Sequence, residues 1–186
     1  MKYISLGAVV APSTEHILKV SRYGMEFTLT GDLAKLWLDG RFGFAFSENP
    51  IEHKAVDQLK RMGLIVPTNP YGAGEYRALT QCVLVPVDRK NPYIGLSGEE
   101  KDVLVWLREA GLRLTIAELI YLLDRGVNPT LGYLGNENRQ RLVELIYTRD
   151  TIFDNLLENR MELCKSNAAT VKIVLALLRK KRIILI

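Results

Sequence analysis

The sequence predicts an α+β fold in two small domains, residues 1–90 and 91–186. Three observations predict it. The early part of the chain holds short runs of β-branched and aromatic residues broken by glycine, the pattern of strands and tight turns. The second half carries two capping boxes, Ser97 with Glu100 and Thr115 with Glu118, each opening an apolar helical pattern closed by a glycine. Between them "DRKNPYIG", residues 88–95, is polar and holds a proline, as a linker does.

Taken in order, residues 2–10 and 16–29 read as extended, with a turn at Gly24. In "TGDLAKLWLDG", Leu33, Leu36 and Trp37 fall at i, i+3 and i+4, and Gly40 closes a short helix. Phe42, Phe44 and Phe46 alternate in a short strand or tucked loop. Pro50 suits the first turn of the next helix. Ala55, Val56 and Leu59 form its apolar face, and Gly63 fits the residue just past its end. "LIVPT" then reads as a strand, "NPYGAGE" as a turn and "YRALTQCVLVPV" as a long return strand, which together make a wing-like hairpin.

The second half opens with a helix that turns Val103, Leu104 and Leu107 inward and ends at Gly111. "IAELIYLLDRG" gives another helix. A long helix is expected over residues 137–163, its apolar stripe drifting near heptad spacing. Such a stripe suits a homodimer seam or, equally, a crossover helix buried in the monomer. The last helix is "NAATVKIVLALLRKK", and "RIILI" is a terminal strand.

Composition excludes several classes. The chain is 48% hydrophobic and 25% charged, which is ordinary for a globular protein and rules out wholesale disorder. No apolar run is long enough to span a bilayer, and "MKYISLGAVVAP" lacks the longer apolar core of a secretory signal. A cytoplasmic chain is expected. Cys82 and Cys164 lie far apart without a CxxC pair, so reduced thiols are expected. His16 and His53 have no partner at ligand spacing, so neither a metal nor a cofactor is implied. Serine, histidine and acidic residues fall in no recognisable catalytic order, and "YGAG" is turn chemistry rather than a nucleotide loop. Trp37 and Trp106 sit on apolar faces and read as core. The expected function is therefore binding without catalysis.

Charge is unevenly spread. Residues 165–186 hold six basic residues and no acid, whereas 93–164 hold eight basic and twelve acidic ones. A basic tip on an acidic body suggests an anionic partner, although cations at a helix C-terminus also complement its dipole.

Two stretches can be superposed. "HKAVDQLKRMGLIV" and "ATVKIVLALLRKKRIIL" both run helix, leucine, three residues, a junction residue and a strand. Both resemble the last helix and first wing strand of winged helix-turn-helix domains, and the chain resembles a divergent tandem of them. It departs from that pattern in three places. The first half is too short for a normal second helix, the second half has an extra long helix, and "RIILI" has no return strand after it.

The resemblance implies a transcription-regulator-like protein that binds double-stranded DNA, through two such domains or a dimer. The residues it points to are Lys165, Ser166, Asn167, Lys172 and Lys180 on the last helix, His53 and Lys54 in the first half, and Arg77 beside the turn. Against strong base readout, the last helix's outward positions include Ala169, Ile173 and Ala176, which cannot hydrogen-bond a base edge. Those three suit a protein partner instead. The first half is also similar to the small winged-helix modules that accompany peptide-modifying enzymes and bind leader peptides along a sheet edge. That similarity implies a protein- or peptide-interaction adaptor, to which an uncovered "RIILI" strand could contribute.

Overall fold

A computed structural model describes residues 1–10, 17–69, 73–109, 111–127, 144 and 167–186. The fold is α+β. Tyr23 and Gly24, at φ 48° and 78°, form the two-residue turn that joins β3 (Leu18–Arg22) to β4 (Met25–Leu29). β2 (Ala8–Val9) pairs with the other side of β3, so the first sheet runs β2-β3-β4.

The second sheet is built from distant segments. β1 (Lys2–Ser5) lies between β5 (Ala45–Phe46) and β6 (Ile65–Thr68), antiparallel to both. Helix α1 (Gly31–Asp39) precedes β5, and α2 (Pro50–Arg61) follows it. Asn49 caps α2 by accepting from the Glu52 N–H at 2.9 Å, and Pro50 occupies the first helical turn.

After β6 the expected wing does not form. "GEYRALT" is helix α3 (Gly74–Thr80), and only Leu84–Pro86 of the expected return strand is extended, as β7. Ala78 and Leu79 are good helix formers, and the β-branched and apolar run begins only at Val83. β7 has another role. It pairs antiparallel with the terminal strand β8 (Ile183–Leu185), and on its other side Leu84 bridges to Leu114. A partner strand for "RIILI" is thus supplied from the middle of the chain.

Helices α4 (Gly98–Arg108), α5 (Ile116–Asp124) and α6 (Asn167–Arg179) pack around this sheet. Both expected capping boxes form, at Ser97 with Glu100 and at Thr115 with Glu118. The helix expected over 137–163 lies outside the described residues, except for Glu144, which is helical and exposed. Among the described residues no helix is long and apolar enough to cross a membrane.

With β2–β4 set aside in the first half and α5 in the second, the described elements of the halves share an order: a leading strand, a helix, a short strand position, a long helix and a closing strand. In both, the leading strand sits in the middle of the sheet, β1 in the first half and β7 in the second. The boundary expected near residue 90 does not separate two cores, because alternation along β1 and β6 sends neighbouring side chains to opposite faces. Tyr3 and Ile65 join the cluster of Trp37, Val56 and Leu59, while Ile4 and Val66 join the cluster of Trp106, Leu104 and Leu177. The sheet of the first half is therefore a wall shared by both cores. Segment 88–95 is fastened rather than loose: Tyr93 donates to Glu109 at 2.6 Å and Arg182 donates to the Ile94 carbonyl at 2.8 Å.

The halves also meet at β8, where the Gly7 N–H donates to the Leu185 carbonyl at 2.7 Å. Gly7 has φ 107°, and a Cβ there would fall 2.8 Å from Val20 Cγ1. Only glycine allows this approach. "RIILI", expected to be uncovered, is flanked by β7 on one side and touched by Gly7 on the other.

Candidate functional site

Helix α6 ends in a tight reversal. The Lys181 N–H donates to the Leu178 carbonyl and the Arg182 N–H to the Leu177 carbonyl, both at 2.9 Å, with Lys181 at φ 55°. This is the Schellman arrangement, which calls for a left-handed residue just past the helix. The reversal aims Lys181 at the turn that follows α1. That turn is pinned to β1 by the Ser5 N–H, which donates to the Gly40 carbonyl at 2.9 Å. Downstream of β7, the Val87 N–H donates to the Arg182 carbonyl at 2.8 Å and carries Arg89 alongside. The result is a cleft of about 320 Å³ lined by Arg41, Phe42, Val87, Arg89, Lys181 and Ile184.

Three of the six lining residues are cations, and no carboxylate lines the cleft among the described residues. Phe42 holds two of the cations on its ring, with the Arg41 guanidinium 4.9 Å and the Lys181 Nζ 5.1 Å from its centroid. Arg41 also lies 5.6 Å from the Trp37 ring. Its Nε is buried with no hydrogen-bond partner, and burial pulls its pKa below the ordinary arginine value. The neighbouring cations are engaged elsewhere. Lys180 bonds Glu100 at 2.6 Å and the Gly95 carbonyl at 3.0 Å.

The residues expected to meet DNA are not brought together. His53 and Lys54 lie on α2, which packs on α1 and β6, whereas Lys172 lies on α6 and Lys180 just past its end, and α6 packs on α3, α4 and α5. His53 Nε2 sits 3.1 Å from the Ser47 carbonyl and 3.4 Å from the chain's own amino terminus. Lys54 and Lys172 are exposed. Lys180 was expected to face phosphates; its ammonium closes on Glu100 instead, because the α4 N-terminus brings that carboxylate against it. Asn167, expected to meet phosphate or base at the helix N-terminus, is only 8% exposed. Arg77 is exposed on α3 rather than beside a wing. Lys165 and Ser166 lie outside the described residues.

Of the three residues suggested for a protein partner, Ala169 is exposed and Ala176 is half-buried. Ile173 packs partly on the core. Cys82 is buried and donates to the Ala78 carbonyl at 3.1 Å, and burial pushes its thiol up to about 12. A thiol so raised is unreactive at neutral pH.

The cleft residues Arg41, Phe42, Arg89 and Lys181 were not singled out by sequence reasoning. One signal was available. Laying the two repeated stretches together sets Lys181 against Gly63, and a lysine where a glycine serves better is worth a question. Compared with protein-family models, curated proteins and solved structures, the chain matches none.

Proposed function

We propose that this chain is a non-enzymatic peptide-interaction adaptor, and that its partner adds an extended segment to the outer edge of β4. The observation that carries this reading is the state of that edge. Among the described residues β4 is the last strand of its sheet, five residues long and largely exposed. Tyr23 and Met25 stand open beside it, at 63% and 58% exposure. An unpaired edge with exposed apolar neighbours is a template for strand addition.

The register says which groups would serve. In a two-residue hairpin the closing pair, Arg22 with Met25, exchanges hydrogen bonds, and pairs alternate from there. The backbone groups of Glu26 and Thr28 then face the open edge. The similarity to modules that bind leader peptides along a sheet edge points the same way.

The test is selection of peptides from a random library against the purified chain, followed by Thr28→Pro. A proline at an outward-facing edge position removes only the donor offered to a partner. The selected peptides are expected to bind the parent chain, to protect the amides of β4 from exchange and to lose binding to Thr28→Pro. Undiminished binding to that variant would sink the edge reading.

The DNA-binding, transcription-regulator-like reading keeps one favourable observation, the exposed Lys54, Lys172 and Arg179. Fluorescence anisotropy with labelled duplex DNA across a salt series separates the two. A regulator loses affinity steeply with salt; the adaptor is expected to bind no duplex.

A further inference from the structure

We infer that the cleft between the halves is a binding site for a compact oxyanion, a phosphate or carboxylate group of a small molecule. Four observations meet there. Arg41, Arg89 and Lys181 line one cleft of about 320 Å³, which suits a small ligand. No carboxylate among the described lining residues neutralises them. Phe42 lies against two of them, its centroid 4.9 Å from the Arg41 guanidinium and 5.1 Å from Lys181 Nζ. Lys181 holds a left-handed backbone, at φ 55°, where two comparable helix ends among the described residues use Gly63 at 70° and Gly126 at 61°.

The last observation is the most telling. All three helix ends make the same pair of reversal bonds: Gly63 to Lys60 with Leu64 to Leu59, Gly126 to Leu123 with Val127 to Leu122, and Lys181 to Leu178 with Arg182 to Leu177. Glycine satisfies this geometry without strain. At the third end a cation stands in its place, and that cation reaches the cleft. Backbone strain held at one spot is a pointer to a role for the side chain that requires it.

The chemistry fits an oxyanion. Arginine presents a planar fork that matches phosphate and carboxylate oxygens, and lysine adds a movable point charge. The Phe42 ring holds Arg41 and Lys181 in place before a ligand arrives. An anion there would relieve the repulsion among three cations. The apolar walls, Val87 and Ile184, leave room for a carbon skeleton. The site shares no residue with the β4 edge, so either reading can fail without the other.

The test is isothermal titration calorimetry of the full chain at low ionic strength, with sodium phosphate, sodium acetate and sodium chloride in separate arms. Saturable binding is expected in an oxyanion arm and not with chloride. Arg89→Ala and Lys181→Gly should each weaken it about tenfold or more. Arg89 is exposed, and glycine is the residue the other two helix ends already use, so both variants should fold. Binding of phosphate alone identifies a phosphate ligand, binding of acetate alone a carboxylate ligand, and binding of both a general oxyanion cleft. No saturable heat with either oxyanion, or equal affinity in parent and variants, overturns the proposal.

Discussion

The two ends of the α2–β6 and α6–β8 units share one backbone design and carry different side chains. Leu59 and Leu177 each accept the longer reversal bond, and four residues on stand Gly63 and Lys181. One position earlier stand Met62, packed on the first core, and Lys180, bonded to Glu100. The first junction is thus built for stability alone. The second replaces an apolar contact and a free turn with two cations, one fastening α4 and one entering the cleft. Where a repeated design is altered against its own local preference, the altered side chains are the place to look for function.

The largest expected effects test whether the halves behave as one body. Trp37 and Trp106 are both fully buried, and Trp37 Nε1 also donates to the Leu6 carbonyl at 3.0 Å. Truncation to alanine should cost about 3–5 kcal/mol at either site. Because β1 and β6 line both cores, Trp37→Ala and Trp106→Ala should each lower one shared melting transition in calorimetry. Two transitions, with each substitution moving only one, would break the shared-wall account.

Next in size is Lys180→Met, which copies the Met62 junction into the second half. It removes charge-assisted hydrogen bonds to Glu100, which is 6% exposed, and should cost about 1.5–3 kcal/mol by chemical denaturation. The pH dependence has a definite sign. The hydrogen bond from Lys180 is the main cause that holds the Glu100 carboxyl below its ordinary value of 4.5. A lowered folded pKa gives stability that is complete above that ordinary value and fades as pH falls through the lowered one. The parent chain should therefore lose more stability than Lys180→Met as pH drops below about 4.5. Equal acid sensitivity would remove the pair from the account of α4 docking.

Much of the local structure was legible because it depends on neighbours in sequence. The capping boxes at Ser97 and Thr115, the helix start at Pro50 and the helix end at Gly63 are all short-range patterns. The α+β class followed from them together with the glycine-broken β-branched runs of the first half. The element after β6 was misread because Tyr76 and Thr80 favour strands in isolation, while α3 is settled by packing of Tyr76, Ala78 and Leu79 into the second core. The role of β7 was hidden for a different reason. Its partners are Leu114 and Leu185, on segments distant in sequence, and no local pattern encodes such a choice. The cleft was invisible for the same reason, since Arg41, Arg89 and Lys181 come from three separate segments.

The smallest effects bear directly on the two junctions. Gly63→Ala puts a side chain into the left-handed region and a Cβ 3.0 Å from the Arg22 guanidinium, which also donates to the Gly63 carbonyl. It should destabilise by about 1–2 kcal/mol. Lys181→Gly runs the other way. Relief of the left-handed backbone favours it by about 1 kcal/mol, while loss of the ammonium over Phe42 opposes it by about 0.5 kcal/mol at an open site. A net gain near 0.5 kcal/mol is expected without ligand. In a Phe42→Leu background the ring contact is already gone, so the same substitution should gain about 1 kcal/mol. Saturating oxyanion should reverse the order, because a tenfold tighter binder gains about 1.4 kcal/mol more from it. A Lys181→Gly variant that is less stable than its parent in both backgrounds would mean that the lysine carries no strain. The contrast between the two junctions would then be one of sequence without consequence.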